Sequence, residues 1–386
     1  MSISSALLSI AARVCWARSS RRRECNTTTR STTSICGICS KRAFNPVLRK
    51  PAVEAAGLFD LFALARDEDL DRILLTSMRE ITLTLETVTP MFLGGADPRG
   101  APELRAPSFR GAMRYWLRAI LGGVVGDGHL ESLRKLESAV MGSTDYSSPI
   151  QIRLSDALSG KLKVNEKEQI LPHRTDSARR KAFMAGQTFK LTMKMARADS
   201  SEELIWDCAC AALSAMLTFG GVGLRARRGH GTLRISHAQE KNDFLYTFPK
   251  TKNDWEEHIK NLLTKSIIVA KRLAETLNIK ISENTSKNLT SFPYFFNGNL
   301  IRISNANYNS SMDAVKHFMS IVPRNVAFGG INPRQSSPLW VRPIEVENGR
   351  FRLLLFLFHC KVKSETNHNT IKLWLDDKFP GDNINV

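Results

Sequence analysis

The sequence predicts an α+β protein made of two small sheet-and-helix domains, and three observations lead there. Between residues 79 and 236, two-residue alternation and helical stripes succeed one another in the order strand, helix, strand, strand, helix, strand. A second set of strand and helix signals fills residues 241–386. With 386 residues, of which 42% are hydrophobic, the chain is long enough for two cores.

The first strand is read from Ile81, Leu83 and Leu85, which alternate with Thr82, Thr84 and Glu86 before Pro90 and Gly94-Gly95 end the run. Ser108 is placed to cap a helix whose apolar residues Phe109, Met113, Trp116 and Ile120 share one face, and Gly122-Gly123 is expected to stop it. A shorter helix is expected over Leu130–Val140, then strands over Pro149–Leu154 and Gln187–Met195. Ser200-Ser201-Glu202-Glu203 reads as a capping box for a helix that ends at Gly220-Gly221, and Thr232–Ser236 is the closing strand. This βαββαβ order is the ferredoxin-like (RRM-like) arrangement. Ser155–Gly186, between the second and third strands, is too long for a hairpin loop and is expected to be functional or disordered.

In the second half, Trp255, Ile259, Leu262, Leu263, Ala270, Leu273 and Leu277 trace one helical stripe, and Met312–Val322 reads as another helix. Leu339–Val346 and Phe351–Phe358 flank Asn348-Gly349, a hairpin signal. The economical expectation is a second ferredoxin-like domain over 241–386, after a first over 78–240.

Residues 1–77 look foreign to both. Positions 1–50 hold ten Lys or Arg against the single acid Glu24, without periodicity. A basic tail, a targeting segment and a true start at Met78 all fit; the last is the expectation, with 1–77 an unstructured extension outside the fold. Asp67–Leu75 retains the pattern of a short amphipathic helix.

A net charge of +18 points to a polyanionic partner. The longest strongly apolar run, Leu353–Phe358, is far short of a membrane span, so no membrane association is expected. Seven scattered cysteines form no disulfide framework, which fits a reducing, cytoplasmic setting. Cys36-Gly37-Ile38-Cys39 has zinc-knuckle spacing but lacks a second ligand pair, so neither metal nor other cofactor is expected.

Two basic constellations suit phosphate. Arg110, Arg114 and Arg118 recur every four residues on the first helix, and no acid occurs from Leu104 to Gly126 to neutralise them within it. Pairing with an acid elsewhere is the structural alternative. The second is Gly220-Gly221-Val222-Gly223-Leu224-Arg225-Ala226-Arg227-Arg228-Gly229-His230-Gly231, between a helix and a strand. Here Gly221, Gly223, Gly229 and Gly231 would let backbone approach RNA, while Arg225, Arg227, Arg228 and His230 contact it. The segment is neither a P-loop nor a dinucleotide loop, since no Gly-Lys-Ser/Thr ending follows and a helix precedes it. The long connection adds Arg174, Arg179, Arg180 and Lys181, and Tyr115 is a base-stacking candidate.

Thr89-Pro90-Met91-Phe92-Leu93-Gly94-Gly95-Ala96-Asp97, Leu104-Arg105-Ala106-Pro107-Ser108-Phe109-Arg110-Gly111, Met141-Gly142-Ser143-Thr144, the Gly/Arg loop and Arg334-Gln335-Ser336-Ser337-Pro338-Leu339 occur in the order seen in one family. The chain thus resembles the repeat-associated (RAMP) superfamily, and within it the first subunits of type III-B (Cmr) CRISPR effector complexes. His230 departs from the aromatic or aliphatic residue expected between the last two glycines. The resemblance implies a non-catalytic subunit that contacts guide RNA and target RNA and docks on other Cmr-type subunits, with Arg105 and Arg334 joining the RNA-contacting set. The rival readings are a metal-free endoribonuclease of the same superfamily, with His173 or His230 as its acid–base group, and a purely structural assembly subunit.

Overall fold

The computed structural model describes residues 79–385 except 98–99, 157–159, 176–177, 197–200, 241, 283–287, 331–333, 348 and 362–364. The expectations for residues 1–77, including the Cys36/Cys39 pair and the Asp67–Leu75 helix, lie outside the described residues.

Strand β1 (Glu80–Thr87) is followed by helices α1 (Ala106–Val125) and α2 (Leu130–Met141), then strands β2 (Ile150–Asp156), β3 (Val164–Gln169), β4 (Arg179–Phe183) and β5 (Thr188–Met195). Helix α3 (Glu202–Phe219) and strand β6 (Leu233–Ala238) complete the first half. Four of these strands form an antiparallel sheet in the order β2-β5-β1-β6. Numbered among themselves they run 2-3-1-4, the ferredoxin-like order. Ile81, Leu83 and Leu85 pair in register with Met193, Leu191 and Phe189, and all six are buried. Each contributes about 1.5–3 kcal/mol by leaving water. Helices α1 and α3 cover this face, with Phe109 of α1 set edge-on against Phe189 at 5.8 Å.

Helix α1 does not stop at Gly122-Gly123 but runs on to Val125. A Cβ on Gly122 would lie 2.7 Å from the Tyr294 side chain, and one on Gly123 would lie 2.4 Å from the Phe295 carbonyl. These glycines therefore admit the 292–296 segment against the helix. Ser108 is not its cap either; α1 begins at Ala106, with Pro107 in its first turn, where a missing N–H costs nothing. The long Ser155–Gly186 connection contains the β3–β4 hairpin, bridged to the β1–α1 segment through Met91 and Phe183.

The second half contains α4 (Lys252–Thr276), β7 (Leu300–Ile303), α5 (Ser311–Ile321), β8 (Leu339–Val346), β9 (Arg350–Leu357) and α6 (Glu365–Lys378). Its sheet has the order β7-β9-β8. This is the 1-3-2 portion of the same topology; at the place of a fourth strand, Asn383 makes one antiparallel bridge to Arg302 of β7. The halves share a core. Trp116 of α1 lies with its ring centroid 5.0–6.0 Å from Phe219, Phe295, Trp340, Phe356 and Phe358. A Cβ on Gly220 would sit 2.5 Å from the Trp116 indole nitrogen, so that glycine is required by the aromatic centre.

Candidate nucleic-acid interface

The Arg stripe of α1 serves the fold. Arg110 donates to the Ile150 carbonyl of β2 at 2.9 Å, and Arg114 donates to the carbonyls of Met141, at 3.0 Å, and Gly142 at the end of α2. Both Arg114 and Arg118 pair with Glu137 of α2, at 3.5 and 3.1 Å. The missing intrahelical acid is supplied by the next helix, and the stripe pins α2 and β2 to α1. Tyr115, one residue round the helix, is committed too. Its hydroxyl accepts from the Trp340 indole at 3.1 Å, and its ring packs on Trp116, Trp340 and Phe358. The expectation that it stacks a nucleobase is corrected, because those faces are occupied. Arg105 lies beside Glu103 at 4.0 Å, at the N-terminus of α1.

The glycine loop is built differently from the cradle its composition suggests. Its N–H groups are turned inward: Val222 donates to Gly231, Leu224 to Phe92, Gly231 to Pro90 and Arg228 to Arg225, at 2.8–3.0 Å. Gly223 (φ +94°) and Gly231 (φ +63°) adopt conformations that L side chains rarely take, and their Cβ positions would fall 2.2 Å from the Phe92 carbonyl and 1.9 Å from the Val222 carbonyl. A Cβ on Gly221 would meet the Gly231 carbonyl at 2.8 Å, and one on Gly229 would meet Val315 at 2.8 Å. The backbone that approaches these glycines is the protein's own. His230 is fully buried, edge-on to Phe92 at 5.2 Å. Burial first, then Arg225, lowers its pKa to about 4, so the ring is neutral near pH 7. The expectation that His230 contacts RNA is corrected, because its ring is buried against the protein's own Phe92.

What the loop does present is its arginines. A groove of about 900 Å³ is walled by Arg225, Arg227 and Arg228 from the loop, His173 and Arg174 from the long connection, and Pro323-Arg324-Asn325, Gln335, Ser337 and Trp340 from the second half. Among the described residues five arginines line it, and no Asp or Glu does. Arg225 is exposed and is a non-glycine residue at positive φ (+64°). Such a conformation costs about 1–2 kcal/mol and is held by the turn in which the Arg225 carbonyl accepts from Arg228. Arg227 donates to the Ser337 carbonyl and lies over the rings of Trp340, at 4.8 Å, and Tyr115, at 5.3 Å. Arg228 donates to the Phe328 carbonyl, and its other terminal nitrogen, Nη1, is buried without a partner among the described residues. Burial and the two neighbouring loop arginines push its pKa down to about 10, so it stays charged near pH 7. His173 is lowered by burial and then by Arg174, Arg324 and Arg225. Three cations thus bear on one ring, which marks a strongly positive field.

Arg180 and Lys181 of the hairpin wall a smaller groove of about 400 Å³ that shares Gly223 and Leu224 with the first. Lys181 pairs with Glu166 across the hairpin at 2.6 Å, and Arg179 opens β4 opposite Gln169. Arg334 is exposed beside Gln335 but is not part of the groove wall. The loop and the α1 stripe do not form one continuous basic surface, since Arg110, Arg114 and Arg118 face α2 and β2. Arg324 and Gln335 were missed as site residues. Only the basic residue after Pro323 hinted at the former, and nothing in local pattern tied it to a loop about a hundred residues away.

Residues 84–234 match the sequence profile of the RAMP superfamily. Over 319 residues the chain is 27% identical to the CRISPR system Cmr subunit Cmr1-1 of Pyrococcus furiosus, covering 73% of this chain and 89% of that protein. The match to the RAMP superfamily thus runs from β1 to the start of β6. The chain is also 29% identical over 191 residues to Cmr1-2 of the same organism, covering 42% of this chain and 98% of the relative. Among solved structures, the apo crystal structure of Cmr1 from Pyrococcus furiosus aligns with a TM-score of 0.55 at 20% identity, over 80% of this chain and 99% of that one. A chain of the type III-B Cmr-beta complex bound to cognate target RNA aligns with a TM-score of 0.51 at 13% identity, over 76% and 98%. The chain therefore shares the fold of these chains, and its sequence resembles the first Cmr subunits.

Proposed function

We infer that this protein is a non-catalytic, RNA-binding subunit of a type III-B CRISPR effector, and that it holds guide RNA or guide–target RNA along the arginine groove. The observation that carries the reading is the convergence of Arg174, Arg225, Arg227, Arg228 and Arg324 on one groove with no acidic side chain among the described residues of its walls. A polyanion is the partner that relieves such a field, and planar guanidinium groups match phosphate oxygens. Two of the five are already oriented by carbonyls and rings of the second half, so the groove is pre-organised for its ligand. Similarity to two Cmr subunits of Pyrococcus furiosus supports the assignment to a Cmr complex. The cognate target RNA bound by the Cmr-beta complex supports RNA as the polyanion.

The nuclease reading would rest on His173, which lines the groove and has a buried Nδ1 without a partner among the described residues. A general base there would need a partner acid, and the other ionisable side chains in the wall are arginines, which remain protonated near neutrality. Incubating the protein with end-labelled single-stranded RNA tests both readings together. Retention of intact RNA supports the binding role; specific cleavage abolished by His173→Ala overturns it in favour of the nuclease.

A further inference from the structure

Two arginines are buried to the last few per cent of their surface, Arg302 at 4% exposed and Arg342 at 1%. The fold treats them differently. Arg302 donates to Asn383, to the carbonyls of Leu375 and Phe379, and to the carboxylate of Asp376 at 2.6 Å. Arg342, on β8, donates only to the Leu233 carbonyl among the described residues, through Nη2 at 2.5 Å, and its Nε and Nη1 are buried without a partner there. An uncompensated guanidinium in such a place costs several kcal/mol, more than any stacking returns. The rings of Phe248 and Trp255, 5.2 and 5.8 Å from its Cζ, offset part of that cost.

Arg342 forms one wall of a cavity of about 260 Å³ between β6, the 247–250 segment and β8. Its other ionisable walls are Arg234, Lys250, Glu86 and Glu345. Both carboxylates are taken by Arg234: Glu86 receives two bonds of 3.0 Å, and Glu345 accepts from Nη1. Three cations face two carboxylates, which leaves one net positive charge in the cavity. The adjacent His258 does not change that balance, because its ring bonds Thr218 at 2.8 Å and Tyr246 at 2.6 Å, and burial holds its pKa at about 4. The cavity is below the roughly 300–1,000 Å³ of pockets that take drug-sized ligands, so it excludes a nucleotide and admits a compact anion.

We propose that this cavity is an anion site that takes a single phosphate group against the Arg342 side chain, with Lys250 at its mouth. It shares no wall residue with the RNA groove and does not depend on the reading of that groove. The phosphate could be inorganic or the terminal phosphate of an RNA, and the chemistry of recognition is the same.

The test titrates inorganic phosphate into the full chain at constant ionic strength, reading melting temperature and heat of binding, with chloride as the ionic control. A saturable rise in Tm is expected, with affinity reduced about tenfold or more by Arg342→Met, as the loss of hydrogen bonds to a charged group requires. Lys250→Met lies at the exposed mouth and reports the same site if Arg342→Met does not fold; it is expected to weaken phosphate binding without lowering the phosphate-free Tm. Crystals soaked in tungstate, an anomalous scatterer of similar shape, should show one peak against Arg342. Displacement of bound phosphate by a terminally phosphorylated dinucleotide, but not by its unphosphorylated form, assigns the source to an RNA end; failure to displace assigns it to free phosphate. The absence of saturable binding, undiminished binding in folded Arg342→Met, or water alone against the Arg342 side chain in the soaked crystals would each overturn the proposal.

Discussion

Replacing Glu137 by Gln removes the carboxylate that serves both Arg114 and Arg118. Its side chain is 14% exposed, whereas those of the two arginines are 32% and 43% exposed, so each pair is partly screened by solvent. Exposed pairs contribute about 0.2–1 kcal/mol, and the burial of Glu137 places these two toward the upper end, for a joint loss of about 1–2 kcal/mol. For a domain of this size that corresponds to about 2–6 °C in Tm. Arg114→Met should lose a similar amount, since it also gives up the bonds to Met141 and Gly142. Differential scanning calorimetry measures the shift, and RNA titrations over a salt series accompany it. Neither variant should alter the dependence of RNA affinity on salt. If Arg114→Met flattens that dependence while leaving Tm unchanged, the stripe holds phosphates after all and its structural role is refuted.

Gly231→Ala must place a Cβ where the Val222 carbonyl stands and adopt a positive φ, so a loss of about 2–5 kcal/mol is expected in urea unfolding. Gly128→Ala has a comparable φ of +87° but nothing within 4 Å, and should lose only the conformational part, about 1–2 kcal/mol. For His258, burial and Arg342 lower the pKa from 6.5 to about 4. The unfolded chain therefore takes up the proton first as pH falls, so stability is full above pH 6.5 and is lost between pH 6.5 and about 4. Each such histidine contributes a slope of up to about 1.4 kcal/mol per pH unit, and His258→Gln should flatten urea-unfolding free energies plotted across that window. The thiols of Cys208 and Cys210 are buried and raised far above the usual range by desolvation, so a thiol reagent should label them only on unfolding.

Much of the fold was legible because each element carries its own period. The alternation in β1 and the stripes of α1 and α4 are local properties, and the observed elements match them to within a few residues. The C-terminal end of α1 was misread because Gly122 and Gly123 answer to Tyr294 and Phe295, which are distant in sequence. The β3–β4 hairpin was illegible for a related reason: Val164–Gln169 and Arg179–Phe183 are short and largely polar, and they gain their place by pairing with each other and with Met91. At the site, residue type was informative and direction was not. The loop arginines do line a groove, yet nothing local in Arg110, Arg114 and Arg118 reveals that Glu137 and three backbone carbonyls claim them. Nor could glycine content alone distinguish a loop that opens toward a ligand from one folded onto Phe92 and Val222.

The salt dependence of RNA binding by Arg225→Ala/Arg324→Ala is the most direct test of the groove. Both residues are exposed, and they reach it from opposite halves of the protein. Each phosphate contact on single-stranded RNA contributes a slope of about 0.7 in log affinity against log salt, so the double variant should be flatter by about 1.4, with sequence preference unchanged. A slope identical to that of the unmodified protein, measured on a variant with unaltered Tm, would contradict RNA binding in this groove.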